Sequence, residues 1–166
     1  MEILDNYLPS LDFQELQANF IKLPWKYSGL TGPISDDNYQ LHHNFFTIRN
    51  PYLEKPISSH AHILKPLLLK LSALYILRIK ANFRPKTSKH ILSDWHVDVD
   101  ADCPSFQTAI FYINSNDGYT EFKDGTKVES IANRLLIFPT SLQHRGASCT
   151  NCNYRMVLNL NFAYPP

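Results

Sequence analysis

His96 and Asp98 form a His-x-Asp pair, and His144 and then Arg155 follow it later in the chain. Two imidazoles and one carboxylate are the donor set that holds a mononuclear Fe(II) on one face, leaving its other positions open for a cosubstrate and O2. A downstream arginine supplies a counter-charge for an anion bound at that metal, because its planar fork pairs bidentately with a carboxylate. Alone, a His-x-Asp pair is a common hydrogen-bonded surface pair. A single distal histidine among the 7 in this chain says still less. Order, spacing and strand context together give the set its weight.

These side chains converge only if strands carry them. Residues i and i+2 of a strand share a face, so a strand through 95–99 directs His96 and Asp98 one way and Trp95, Val97 and Val99 the other. His144 follows the apolar run Arg134-Leu135-Leu136-Ile137-Phe138 and falls at a strand end. Arg155 opens the last strand, where Met156, Leu158, Leu160 and Phe162 alternate with Arg155, Val157, Asn159 and Asn161. One face there is apolar and the other largely polar. A hairpin folded near Thr150 and Asn151 would set Arg155 laterally beside His144.

Further strands are predicted over Leu77–Phe83, Thr108–Asn114, Thr120–Lys123, Lys127–Ile131 and Arg134–Pro139. Asn116-Asp117-Gly118 and Asp124-Gly125 supply turns, the second a strong hairpin signal. Upstream, residues 1–55 are irregular and punctuated by Pro9, Pro24, Pro33 and Pro51. Ser10 or Asp12 is suited to cap a short helix over Phe13–Phe20. From Ser58 the pattern turns helical through Ile63, Leu67, Leu71 and Leu74, with Pro66 in the first turn. Helices first and antiparallel strands after them describe an α+β chain ending in a sandwich or jelly roll. Residues 1–166 are read as a single domain, with an irregular and helical part over 1–77 and a β core over 78–166.

Composition narrows the function classes. A length of 166 residues with 44% hydrophobic and 13% aromatic residues is enough for a substantial core, which sets the chain apart from disordered sequences. A net charge of +1, from 16 basic and 15 acidic residues, advertises no nucleic-acid or membrane-surface footprint, although a local basic patch would not show in the total. The most apolar run, Ile63 to Ile79, is broken by Lys65, Pro66 and Lys70, so no membrane span is expected. The acidic start Met1-Glu2-Ile3-Leu4-Asp5 lacks a basic leader region. Three cysteines, Cys103, Cys149 and Cys152, are too few for a disulfide framework. A reducing cytoplasm is the expected location.

Other motifs carry less. Cys149-Thr150-Asn151-Cys152 is a C-x-x-C, but a closed zinc site needs four ligands and only Cys103 remains as a thiol, so hairpin cysteines without a metal are expected. His42-His43 and His60-x-His62 fall outside the predicted strands and read as solvated or locally bonded imidazoles. There is no P-loop, G-x-G-x-x-G or G-x-S-x-G, and 5 glycines build few phosphate-cradling loops.

A family resemblance rests on Trp95-His96-Val97-Asp98, on Thr108-Ala109-Ile110-Phe111-Tyr112-Ile113-Asn114, and on Gly118-Tyr119-Thr120-Glu121-Phe122. It continues through Asn133-Arg134-Leu135-Leu136-Ile137-Phe138, His144-Arg145-Gly146 and Arg155-Met156-Val157-Leu158-Asn159-Leu160-Asn161. The segment Arg78 to Phe162, about half the chain, resembles the 2-oxoglutarate and Fe(II)-dependent oxygenases. Within them it is most similar to the prolyl-hydroxylase-like branch, of the type found in phages and marine bacteria. The resemblance implies a double-stranded β-helix (jelly-roll) core with the N-terminal helices packed on it. It implies His96, Asp98 and His144 as iron ligands and Arg155 as the partner of the distal carboxylate of 2-oxoglutarate. A second cosubstrate contact, often a tyrosine in the family, falls to Tyr112 or else Asn82. The family's double glycine reads Gly118-Tyr119 here.

The implied activity is a dioxygenase using Fe(II), 2-oxoglutarate and O2, a hydroxylase of a peptidyl side chain or a small molecule. Nucleic-acid bases are a less favoured substrate, and no membrane partner is implied. The rival reading is a jelly-roll or cupin-type metal-binding module without 2-oxoglutarate chemistry. Arg155 separates the two, because the rival needs no cation beside the distal histidine.

Overall fold

The computed structural model describes residues 1–28, 39–48, 58–98 and 106–164. Along the chain these form β1 (Glu2–Leu4), α1 (Ser10–Phe20), β2 (Lys26–Ser28), β3 (Gln40–Thr47), a short 3-10 turn (Ala61–Leu64) and α2 (Lys65–Leu71). Then come β4 (Tyr75–Pro85), β5 (Phe106–Tyr112), β6 (Tyr119–Phe122), β7 (Lys127–Glu129), β8 (Arg134–Pro139), β9 (His144–Gly146) and β10 (Tyr154–Ala163). Two antiparallel sheets result. A 7-stranded sheet runs β1-β8-β5-β10-β4-β3-β2, and a 3-stranded sheet runs β7-β6-β9.

Alternation within the central strands sorts their side chains onto two faces. Ala109 and Phe111 of β5, Leu135 and Ile137 of β8, and Met156, Leu158, Leu160 and Phe162 of β10 join one core. That core also takes Phe13, Leu16 and Phe20 of α1 and Leu67 and Leu71 of α2. The opposite face carries Ile110, Tyr112, Leu136, Phe138 and Val157, which pack on Phe122 and Val128 of the smaller sheet. The large sheet is therefore the middle layer, with helices on one side and the small sheet on the other. The polar face of the last strand is an interior face: Arg155, Asn159 and Asn161 are all buried.

Several details differ from the sequence reading. The N-terminal 77 residues supply strands as well as helices, since β1, β2 and β3 extend both edges of the large sheet. His42 and His43 accordingly lie in β3, within a sheet. Prolines near β1 and β2 and the brevity of those strands hide the period-2 signal. No side chain caps α1: its cap position is Pro9, and Ser10 Oγ instead accepts from Gln14 Nε2 at 3.4 Å. Pro66 does sit in the first turn of α2, but the helix stops at Ser72, which adopts a left-handed conformation, leaving Leu74 outside and exposed. The Asp124-Gly125 turn joins β6 to β7, with Gly125 at φ 87° and Thr126 N donating to Asp124 Oδ1. Positive φ without a Cβ penalty is what glycine supplies there.

Candidate metal and cosubstrate site

His144 stands at the start of β9, and its backbone exchanges both hydrogen bonds with His96 (N···O 3.0 and 3.1 Å). The segment bearing His96 is not the regular strand that the i, i+2 argument supposes. It touches β9 through two isolated bridges, Leu92 with Ala147 and His96 with His144, and bends at Asp98. The pairing is nonetheless sufficient. One ligand atom each from His96, Asp98 and His144 lies within 4.8 Å of the others.

Hydrogen bonds set the tautomer of each imidazole. His96 donates from Nδ1 to the carbonyl of Asp94 at 2.8 Å, and His144 donates from Nδ1 to the carbonyl of Leu142 at 3.2 Å. A carbonyl only accepts, so each ring when neutral carries its proton on Nδ1 and leaves Nε2 as the lone pair a metal needs. His144 Nε2 is buried without a hydrogen-bond partner and sits 4.0 Å from Asp98 Oδ2. Burial pulls the His144 pKa down, outweighing the nearby Asp98 and favouring the neutral ring.

Asp98 is held from the other side. Arg78 Nη2 meets Oδ1 at 2.9 Å, and Asn159 Nδ2 donates to Oδ2 at 3.1 Å. Burial alone would raise this carboxyl's pKa, but Arg78, the two histidines and Asn159 together hold it below the usual carboxylate range. Arg78 is braced in turn by Nε donating to Asn161 Oδ1 at 3.2 Å. An ionised carboxylate beside a partnerless imidazole nitrogen fits a divalent cation, and the candidate donors are two nitrogens and one oxygen.

Two cavities meet at this cluster and share Gln40, Asn82, Ser93, His96 and Asn159. The inner one, about 60 Å³, reaches His144, Thr120, Arg84 and Arg155. The outer one, about 240 Å³, is bounded by Arg78, Lys80 and Asp98. Arg155 does reach the His144 region, though not by the predicted hairpin. β9 and β10 belong to different sheets, so Arg155 faces Gly146 and His144 across the interior. Its Nε donates to Ser130 Oγ at 2.8 Å and its Nη2 to Thr120 Oγ1 at 3.3 Å. No ion pair among the described residues includes it.

The two secondary candidates part ways. Asn82 lines both cavities and accepts from Gln40 Nε2 at 2.9 Å. Tyr112 is fully buried in the apolar layer, and its hydroxyl donates to Thr120 Oγ1 at 2.9 Å. Thr120 thus accepts from both Tyr112 and Arg155, which leaves its own O–H to donate toward the inner cavity. Sequence reading misses Thr120, Arg78, Lys80 and Arg84. For the last three a signal exists: Arg78, Lys80, Asn82 and Arg84 alternate with Ile79, Ala81 and Phe83 along β4. The C-x-x-C thiols lie apart from the cluster. Cys149 is buried, its pKa pushed up to about 12 by burial and by Cys152, while Cys103 lies outside the described residues.

No protein-family model matches the sequence, and comparison with curated proteins finds no match. Solved structures do match. An oxidoreductase of the 2OG-Fe(II) oxygenase family from Burkholderia pseudomallei superposes with a TM-score of 0.69 at 11% identity, over 97% of this chain and 84% of that one. A viral collagen prolyl hydroxylase from Paramecium bursaria Chlorella virus-1, in complex with 2OG, gives 0.61 at 15% identity over 99% and 96%. A prolyl-4-hydroxylase from Pseudomonas putida gives 0.59 at 13% identity over 99% and 92%. No helix among the described residues is long and apolar enough to cross a membrane. At these identities the likeness is one of architecture, and it gives this chain the fold of the 2-oxoglutarate and Fe(II)-dependent oxygenases.

Proposed function

We propose that this protein is an Fe(II)- and 2-oxoglutarate-dependent dioxygenase, a hydroxylase acting on a small molecule or a peptidyl side chain. On this reading the two sheets form a double-stranded β-helix, with His96, Asp98 and His144 holding the metal. The observation that carries the reading is the placement of Arg155. It is a buried arginine without a carboxylate partner among the described residues, and it lines the cavity that also exposes His144. A metal-binding module with no anionic cosubstrate would bury that cation to no purpose, and burying an unpaired charge is costly.

When bound, iron with 2-oxoglutarate and O2 supplies the oxidising power, coupling decarboxylation of the 2-oxo acid to oxidation of the substrate. The chain's own work is binding and orientation. Asp94 and Leu142 carbonyls keep the imidazoles in one tautomer, and Arg78 and Asn159 keep the carboxylate ionised and aimed. Arg155 and the Thr120 hydroxyl receive the distal carboxylate of 2-oxoglutarate, with Asn82 beside it and Tyr112 acting through Thr120. A cytoplasmic location suits both Fe(II) and free thiols.

The test is an anaerobic titration of metal-free protein with Fe(II) and then 2-oxoglutarate, followed by visible absorption. Chelation of Fe(II) by the 2-oxo acid is expected to give a weak charge-transfer band that His96→Ala abolishes. A folded, iron-loaded protein without that band would return the cupin-type reading to first place.

A further inference from the structure

The outer cavity has a charge balance that the metal and cosubstrate do not account for. Arg78 and Lys80 both border it, two residues apart on the same face of β4. Arg78 is committed, through its bonds to Asp98 and Asn161. Lys80 forms no hydrogen bond or ion pair among the described residues, and it is half-buried. Burial first, and then the neighbouring Arg78, lower its pKa, with Asp98 across the same cavity opposing them only in part. Opposite Lys80 in the β4–β10 register stands Asn159, whose Oδ1 is buried without a partner and whose Nδ2 holds Asp98.

The rest of the described lining is mostly polar. Ser28, Gln40, Asn82 and Ser93 border the cavity, and Val97 is the one apolar side chain among its described residues. At about 240 Å³ it lies below the roughly 300–1,000 Å³ usual for drug-sized ligands. An apolar ring or hydrocarbon chain would leave these groups unpaired, whereas a compact anion would pair them.

We propose that the primary substrate is a small polar molecule bearing a carboxylate, which Lys80 receives in the outer cavity beside the metal cluster. The proposal rests on the oxygenase reading and adds the substrate's chemical class. Amide and hydroxyl donors from Gln40, Asn82 and Ser93 complete the recognition of such a molecule. Asn159 Oδ1 is left to accept a donor that the molecule carries.

The test uses the full chain loaded with Mn(II) and 2-oxoglutarate and titrated anaerobically by calorimetry. The probes are N-acetylated small and polar L-amino acids, each paired with its carboxamide, so that the members of a pair differ only in the anionic group. At least one carboxylate is expected to bind tenfold or more tightly than its carboxamide. Lys80→Met should remove that preference, and Lys80→Arg should restore most of it. A charge-assisted hydrogen bond in a partly desolvated site is worth about ten- to a hundredfold. If the wild type takes up 2-oxoglutarate but treats every pair alike, the carboxylate proposal falls and the oxygenase reading stands. The proposal also falls if Lys80→Met keeps the preference. A wild type that binds metal but no 2-oxoglutarate brings down both.

Discussion

Arg84 and Arg155 stand opposite each other in the β4–β10 ladder, and both guanidiniums are buried against the same inner cavity. Their surroundings divide their roles. Arg84 donates to the carbonyls of Gly146 (2.9 Å) and Ile91 (3.1 Å), tying β4 to β9 and to the segment that leads to His96. Burial and the nearby Arg155 push its pKa down to about 10, still charged at neutral pH. Arg155 donates instead to the neutral hydroxyls of Ser130 and Thr120. Two close cations in a buried site repel, so an anionic group bound between them would relieve the cavity.

Arg155→Ala is therefore expected to weaken 2-oxoglutarate binding by about ten- to a hundredfold. Affinity for the divalent metal should stay within about twofold, because Arg155 touches none of the three candidate ligands. Calorimetric titration of each separates the two effects, and an unchanged 2-oxoglutarate affinity would rule Arg155 out as the carboxylate's partner.

Thr120→Val keeps the side chain's shape and removes its hydroxyl. Two donors then lose their acceptor, Tyr112 OH and Arg155 Nη2, and the inner cavity loses a donor. A fall of about tenfold in 2-oxoglutarate affinity is expected, in keeping with one lost hydrogen bond to a charged group. The same variant with Tyr112→Phe added should fall little further, since Tyr112 acts through Thr120.

Gly118 is where Arg155 finds room. A Cβ built there would lie 2.6 Å from Arg155 Cδ, 2.7 Å from Asn116 Oδ1 and 3.1 Å from the Ala147 carbonyl. Gly118→Ala is expected to push the Arg155 stem aside, lowering both the melting temperature and 2-oxoglutarate affinity. An unaltered thermal melt and unaltered binding would show that the neighbours yield freely.

Asn159→Ala removes the amide that steadies Asp98 while leaving all three candidate ligands in place. Loss of an orienting group of this kind typically lowers metal affinity about ten- to a hundredfold. Competition with a chelator of known affinity measures it, and circular dichroism checks that the fold survives.

Asp117 gives a pH test remote from the metal. It accepts from Thr150 N at 2.7 Å, from Thr150 Oγ1 and from Asn151 N at 3.3 Å, pinning the turn before β10. Burial is the largest single influence on this carboxyl and opposes ionisation, but the Thr150 and Asn151 donors together outweigh it and lower the pKa below its ordinary 3.8. A depressed folded value means stability present above 3.8 and lost as pH falls through the lower folded pKa. Wild type should melt above Asp117→Asn at about pH 6, and the gap should narrow steadily as pH falls below 3.8. A gap that does not change between about pH 6 and about pH 3 would exclude the carboxylate as its source.

The candidate donor set is legible in the sequence because residue type and order survive without knowledge of the fold. Chemistry alone singles out His96, Asp98, His144 and Arg155, and alternation marks strands such as β5, β8 and β10. Lateral placement is what a single sequence does not carry. A hairpin is the simplest way to bring Arg155 to His144, whereas the two lie on facing sheets, and nothing local signals which sheet a strand joins. The segment around His96 is held with less regularity than a full strand, by two isolated bridges and by side-chain bonds such as that of Arg84 to the Ile91 carbonyl. β3 escapes notice because its face toward the site is polar, with Gln40, His42 and Asn44 spoiling the apolar run. The alternation of Arg78, Lys80, Asn82 and Arg84 is readable, but charged residues at every second position look like a solvated edge until both faces are known to be covered.

β4 acts as a ruler for the site. The six steps from Arg78 to Arg84 span roughly 20 Å of extended chain at ~3.4 Å each, joining a residue that borders the outer cavity to one that borders the inner. Loops can lengthen or change without disturbing that scale, which leaves room to vary what enters while the distances between cations stay fixed. Deleting one residue inside the strand would have the opposite effect. It would turn the apolar residues on one side of the deletion toward the candidate metal cluster and carry the cations there into the helix-covered layer, disrupting both proposed sites in one step.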